Sequence, residues 1–458
     1  MPGRRDARAR WMALVLGAVV VAHVGCSPSV RMMPAPLAFR EAGPDPFAAV
    51  SSERRSTSVE VFYATDREPT SPDRSSASYG SGRSGSVRLG RARVRFGPTG
   101  WGWDDLNART AAGERPSITV TRVEETDVLE TGVLEAGGVG AGGVGSGASM
   151  SAEGLPRASG AVFASHVNAQ LARSRGRDVY VYVPGINLTF ELGVRRMAEF
   201  GHYLGRDGVF MTYAWPAHDH PFAYGTDRRS ARRSVEGFRE FLRFLATETD
   251  AERIHLITSS AGAPVVSETL AALRDERPGA SADAVRSDTK IGEVVYAASD
   301  QGVDDFREML DSGAAEMAEH ITIYSSSVDM GLMLTKVFGS GDRTIGRLPA
   351  HMRDDDAAHF ARWADRVTVV DVTNAMGPAG RGDFWAHRYW YLNPWVSSDL
   401  LGVLRHRIDP AARALVPSGD GPMWRFPDDY AARLRAQLEA CDLRPASGEA
   451  TDTLSRSE

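Results

Sequence analysis

RIHLITSSAGAPVV, residues 253–266, runs from one apolar segment through four small residues into a second apolar segment. Ile254, Leu256 and Ile257 suit a short buried strand. Ser259, Ser260, Ala261 and Gly262 follow, and residues 263–273 are long enough for a helix. Strand, tight small-residue turn and helix together form the setting of a nucleophile elbow, whose turn pushes one side chain into a strained, exposed position. Small neighbours are needed there because the backbone approaches the adjacent strand and helix closely. The usual pattern is G-x-S-x-G, and Thr258 to Gly262 reads T-S-S-A-G. Ser260 is the expected nucleophile, since Gly262 stands two residues after it; Ser259 has Ala261 in that place. The plainer reading is a strand–turn–helix with surface serines, and this stretch alone does not choose between the two.

The pattern continues on both sides. Strands are expected at 178–183, 208–215, 291–298, 321–326 and 367–372, and helices at 161–174, 192–204, 230–247, 303–317 and 396–404. Such alternation gives the α/β class: a mostly parallel sheet with helices on both faces. Ligands bind such sheets at the carboxyl ends of the strands, so the residues just after each strand carry the chemistry. Pro184-Gly185-Ile186-Asn187 follows strand 178–183. In an α/β-hydrolase this loop supplies one oxyanion donor and the residue after the nucleophile supplies the other; the candidates are the backbone N–H groups of Ile186 and Ala261. Asp329 follows strand 321–326 and is the expected acid. Asp300, after strand 291–298, is the competing acid, while Asp304 and Asp305 suit the first turn of the next helix. His387 lies after the last strand and before the last sheet helix. The order Ser260, Asp329, His387 is that of an α/β-hydrolase triad. A serine hydroxyl needs a base to take its proton, and a buried acid holds the imidazole in the right tautomer.

Composition and address bound the alternatives. The chain has 458 residues, 42% of them apolar, and a formal net charge of −6. A sizeable core is available, and the mild charge gives no case for nucleic acid, which would want a basic face. No motif requires a metal or a cofactor: His218-Asp219-His220 has no third ligand at helical spacing, and the glycine-rich fragments of 132–160 neither follow a strand nor open a helix, as a dinucleotide loop would. Arg4, Arg5, Arg8 and Arg10 precede an apolar run from 11 to 22 that ends near Gly25-Cys26. This is an export signal too short to span a bilayer comfortably. It resembles a bacterial lipoprotein signal with Cys26 as the lipidated residue; the alternative is ordinary cleavage, leaving a secreted or periplasmic protein. If Cys26 carries lipid, Cys441 has no partner and a disulfide framework is excluded.

Several runs resemble a bacterial α/β-hydrolase family of unknown function (domain of unknown function nine hundred), within the esterase/lipase superfamily. Val61 to Arg67 resembles F-Y-A-T-D-R. Val183 to Asn187 resembles V-H-G-[FY]-N, and Trp215-Pro216 with Tyr224 and Asp227 resembles W-P-S…Y…D. Thr258 to Gly262 resembles G-H-S-M-G, Tyr324 to Asp329 resembles Y-x-S-x-x-D, and Asp383 to Tyr389 resembles the segment holding the family's histidine. The match runs from 58 to about 405. Pro184 and Thr258 depart from it, in the oxyanion loop and the elbow. The resemblance implies a carboxylic-ester hydrolase with no assigned substrate.

The expected organisation is a signal at 1–26, a disordered tether at 27–56, a strand-rich extension at 57–131 that holds a loop rich in Ser, Gly and Arg from 68 through Gly85, and a flexible insertion at 132–160. The α/β-hydrolase catalytic domain is expected at 161–406, with a partly helical C-terminal extension at 407–458. The expected function is a serine hydrolase cleaving an ester or thioester of a small-molecule or lipid-like substrate, anchored to a membrane through Cys26. The alternative is an inactive hydrolase fold serving as a cell-envelope binding protein, motivated by Thr258 and Pro184.

Overall fold

The structure, a computed structural model, describes residues 30–40, 47, 50–130, 160–218, 220, 223–335, 343–376, 385–406, 410–418 and 423–442. The expected export signal with Cys26 and residues 131–159 of the glycine-rich stretch lie outside them. The strands are β1 (Ser58–Pro69), β2 (Tyr79–Phe96), β3 (Ile118–Glu130), β4 (Asp178–Val183), β5 (Val209–Tyr213), β6 (Arg253–Ser259), β7 (Ile291–Ala297), β8 (His320–Ser325), β9 (Val367–Asp371), β10 (Val416–Pro417) and β11 (Met423–Arg425). They form one sheet in the order β10-β11-β9-β8-β7-β6-β4-β5-β1-β2-β3. All neighbours from β11 to β1 pair in parallel. The meander β1-β2-β3 and the β10-β11 pair are antiparallel.

A parallel strand must be covered on both faces, and the sequence of β4 does this by alternation. Val179, Val181 and Val183 enter one core, and Tyr180 and Tyr182 enter the other. β1 divides the same way, with Phe62 and Ala64 against Val61 and Tyr63. The first face is covered by helices that include Val235–Glu248 and Ala263–Asp275, the second by helices that include Phe190–Tyr203 and Pro394–His406. The fold is the expected α/β sheet with an antiparallel N-terminal meander.

Four expectations change. Residues 79–85, expected as loop, are the start of β2, where Pro69 pairs with Tyr79 and Arg67 with Arg83. The helix expected at 230–247 is two, Tyr224–Arg233 and Val235–Glu248, meeting at Ser234. The sheet continues past 406, the expected end of the hydrolase domain, because β11 adds a parallel strand beside β9. Residues 30–40, expected within the tether, are docked: Met32, Met33 and Ala35 are fully buried, and Met33 N–H donates to Glu199 Oε1 at 2.7 Å.

The chain enters the sheet's centre at β4, steps to β5, then returns across β4 to β6. That reversal is the topological switch point, where the strand ends splay and leave a crevice. β4 delivers Pro184-Gly185 to it, and β6 delivers Ser260. Among the described residues no helix is long and apolar enough to cross a membrane.

Candidate active site

Ser260 begins a short 3-10 turn between β6 and the helix Ala263–Asp275. Its φ is +51°, a left-handed conformation that costs a non-glycine residue of order 1–3 kcal/mol. The neighbouring strand end holds it there. Ser260 N–H donates to Ala298 O, and Asp300 N–H donates to Ser260 O, both at 3.1 Å. Two glycines make room. A Cβ on Gly185 would lie 2.8 Å from Ser260 Cβ and 3.4 Å from its Oγ, so the loop after β4 passes directly against the serine. A Cβ on Gly262 would lie 2.4 Å from Pro184 O and 2.7 Å from Val183 O. The second glycine of the elbow is therefore a steric requirement.

Thr258, the first departure from the elbow pattern, is fully buried, and its hydroxyl donates to Val183 O at 3.2 Å. It bonds β6 to β4 and does not enter the crevice. Pro184, the second departure, lacks a donor, but its carbonyl accepts from Trp215 Nε1 at 2.6 Å. Ser259 is occupied elsewhere, its Oγ lying 3.0 Å from the Tyr182 hydroxyl within the core.

Asp329 is fully buried at the end of β8, and His387 Nδ1 lies 3.0 and 2.9 Å from its two carboxylate oxygens. Asp329 Oδ1 also accepts from Leu332 N–H at 2.9 Å, which fixes the carboxylate to the helix Met330–Thr335. The histidine segment is tied down on both sides of the ring. Met330 N–H donates to Trp385 O at 2.9 Å, and a Cβ on Gly331 would lie 2.6 Å from His387 Cγ. Tyr389 OH donates to Tyr324 O at 2.9 Å and accepts from Ala298 N–H at 3.0 Å. Ala298 thus bonds both the serine's backbone and the tyrosine two residues after the histidine.

Of the two competing acids, Asp329 is the one on His387. The Asp300 carboxylate accepts a hydrogen bond from Tyr224 OH and is buried. This bond ties the helix Tyr224–Arg233 to the strand end that holds Ser260. Ala261 stands in the first turn after the elbow, where backbone N–H groups have no partner within the helix, and Ile186 is the residue after the Gly185 contact. Sequence reasoning missed the roles of Tyr389, Gly185 and Gly331, and it gave Tyr224 no role beyond the family pattern. Tyr389 could have been noticed as an aromatic residue with a polar tip beside the expected histidine. Among the described residues no group of three or more His, Cys, Asp or Glu side chains gathers as a metal site; His218 instead pairs with buried Asp227, Nδ1 to Oδ1 at 2.7 Å.

No curated protein matches the chain. Solved structures similar to it include an inhibited esterase B from Lactobacillus rhamnosis, at 11% identity over 52% of this chain and 81% of that one, with a TM-score of 0.31. Another is esterase 2 of Thermogutta terrifontis phosphonylated by cyclosarin, at 12% identity over 50% and 80%, with a TM-score of 0.30. At these scores neither likeness bears on what the chain acts on. A family model matches residues 159–404, from the Gly160 cap through the strand ends that carry Ser260, Asp329 and His387. The chain belongs to that family, described as Alpha/beta hydrolase of unknown function (DUF900).

Proposed function

We propose that the protein is a serine hydrolase that cleaves a carboxylic ester or thioester through an acyl-Ser260 intermediate. One observation carries this reading: Ser260 is held at φ +51° beneath Gly185, on the sheet end where His387 is bonded to Asp329. A strained serine on a sharp turn has no evident packing purpose, and strain of this kind gathers at functional sites. With the Nδ1 proton donated to Asp329, His387 keeps Nε2 as the base for the Ser260 hydroxyl. Attack on the acyl carbon would place the developing oxyanion before the N–H groups of Ile186 and Ala261, each such donor being worth ~10²–10³ in turnover. The imidazolium then protonates the leaving alcohol or thiol. A water activated by the same histidine frees the acid.

The binding-protein alternative rested on Thr258 in the elbow and Pro184 in the oxyanion loop. Thr258 is buried and bonded to β4, and Pro184 removes its own donor but leaves that of Ile186; both favour the hydrolase reading. The substrate is a small-molecule or lipid-like ester, and residues 1–26 support an exported protein held in the cell envelope by lipid on Cys26, with fractionation of a Cys26→Ser chain as the test.

Labelling by a fluorophosphonate serine probe tests the catalytic reading. The wild type and Ser259→Ala are expected to label, and Ser260→Ala and His387→Ala to stay dark. An unlabelled wild type would sink the hydrolase reading.

A further inference from the structure

β1 carries an irregularity at the end that meets the active site. Its pairing with β2 slips between Thr65 and Arg67 and again between Arg67 and Pro69. Bulges of this kind bend a strand and re-aim a side chain, and they concentrate next to active sites. The side chain re-aimed here is Arg67, which is buried at 3% exposure. Its two terminal nitrogens donate to carbonyls on separate elements, NH1 to Gly80 O at 2.9 Å and NH2 to Leu188 O at 2.8 Å. Arg67 N–H is held by Thr65 Oγ1 at 3.1 Å, and that hydroxyl donates to Ala214 O at the end of β5. Burial raises the carboxyl of Asp227; the His218 hydrogen bonds and charge oppose that rise first, and the charge of Arg67 adds to them last.

Leu188 closes the loop that presents the oxyanion donor. That loop is pinned at its start by the Trp215 bond to Pro184 O and at its far end by the Arg67 bond to Leu188 O. Between the pins stand Gly185 against Ser260, Ile186 with the candidate donor, and Asn187 at φ +54°. A left-handed non-glycine residue persists only where its surroundings over-determine it. With one pin gone, the three residues between could relax and carry the Ile186 N–H away.

We propose that Arg67, at the irregular end of β1, is the positioning residue that holds the loop 184–188 so that Ile186 N–H faces the oxyanion. The proposal rests on the hydrolase reading for its catalytic half. The guanidinium fork is suited to the task because it is flat, always charged and bonds two carbonyls from one rigid group. Arg67 touches no reacting atom; it acts through the loop.

The test uses the full exported chain with Arg67→Met and Arg67→Lys, read in two ways. The first is the fluorophosphonate reaction, split into probe affinity and bond-forming rate. Arg67→Met is expected to lower the bond-forming rate by roughly tenfold to a hundredfold with probe affinity kept. Arg67→Lys, whose ammonium can still reach one carbonyl, is expected to recover part of it. The second readout is hydrogen exchange of the segment 184–189, which is expected to speed up in Arg67→Met while β4 and β6 keep their protection. A folded Arg67→Met with unchanged rate and unchanged exchange overturns the proposal. So does a loss that follows general unfolding across β4 and β6 in both variants. A wild type that does not react while exchange still responds to Arg67→Met would fell the hydrolase reading, and with it the catalytic half, yet leave Arg67 as the loop's anchor.

Discussion

Ser260 and Asp329 owe their geometry to different neighbours, and single substitutions separate their contributions. Asp329→Asn keeps the size of the side chain but can turn an amide toward His387 Nδ1, which favours the wrong tautomer. Turnover is expected to fall by roughly 10³–10⁴-fold with the fold intact, as read from ester hydrolysis beside a circular dichroism spectrum. A loss under tenfold would mean that another acid, Asp300 first, serves His387. At this scale the sequence was informative. Ser260 follows from the position of Gly262, and Asp329 and His387 follow from their places after β8 and β9. Thr258 could not be judged from sequence, because its fit depends on Val183 O, a partner 75 residues away. The Arg67 contact was hidden for the same reason: Leu188 lies 121 residues on.

The elements were legible where apolar residues recur and illegible where they do not. β4 and β9 are apolar runs bounded by polar turns, and their limits were read to within a residue, while β6, read from Ile254 to Ile257, runs on to Ser259. The first half of β2, Tyr79 to Ser86, is nearly all Ser, Gly and Arg, and Tyr79 is its one apolar contact with the core. No apolar period marks such a strand. The C-terminal segment joins the sheet through a buried charge that has no sequence period either. Asp399 on the helix Pro394–His406 takes a hydrogen bond from Tyr324 OH at 2.7 Å and faces Arg413 Nε at 3.5 Å, with both charged side chains buried. Burial raises the Asp399 carboxyl while Arg413 opposes the rise. Arg413→Met strands that carboxylate and is expected to cost about 3–5 kcal/mol in a urea titration. Adding Asp399→Asn, which keeps an acceptor for Tyr324, should recover most of it. A single variant as stable as the wild type would show that the pair holds nothing in place.

Across the whole molecule, the first described segment is drawn onto the body. Residues 30–40 bond the meander through Arg115 Nε to Met32 O at 2.7 Å, the helix Phe190–Tyr203 through Glu199, and the helix Pro394–His406 through Ala38 N–H to Ser398 Oγ at 3.0 Å. The expected tether thus begins to be used up at residue 30. Cys26→Ser is expected to move the chain from the membrane fraction to the soluble fraction; an unchanged distribution would end the lipid-anchor reading. If that anchor holds, the docked strap alters the scale of the attachment. A free segment from 27 to 56 could pay out roughly 100 Å of chain, but four peptide units from Cys26 to Val30 span at most about 14 Å. The enzyme would then ride close against the lipid headgroups with its orientation restricted, grazing one layer of the envelope rather than sweeping the space around its anchor.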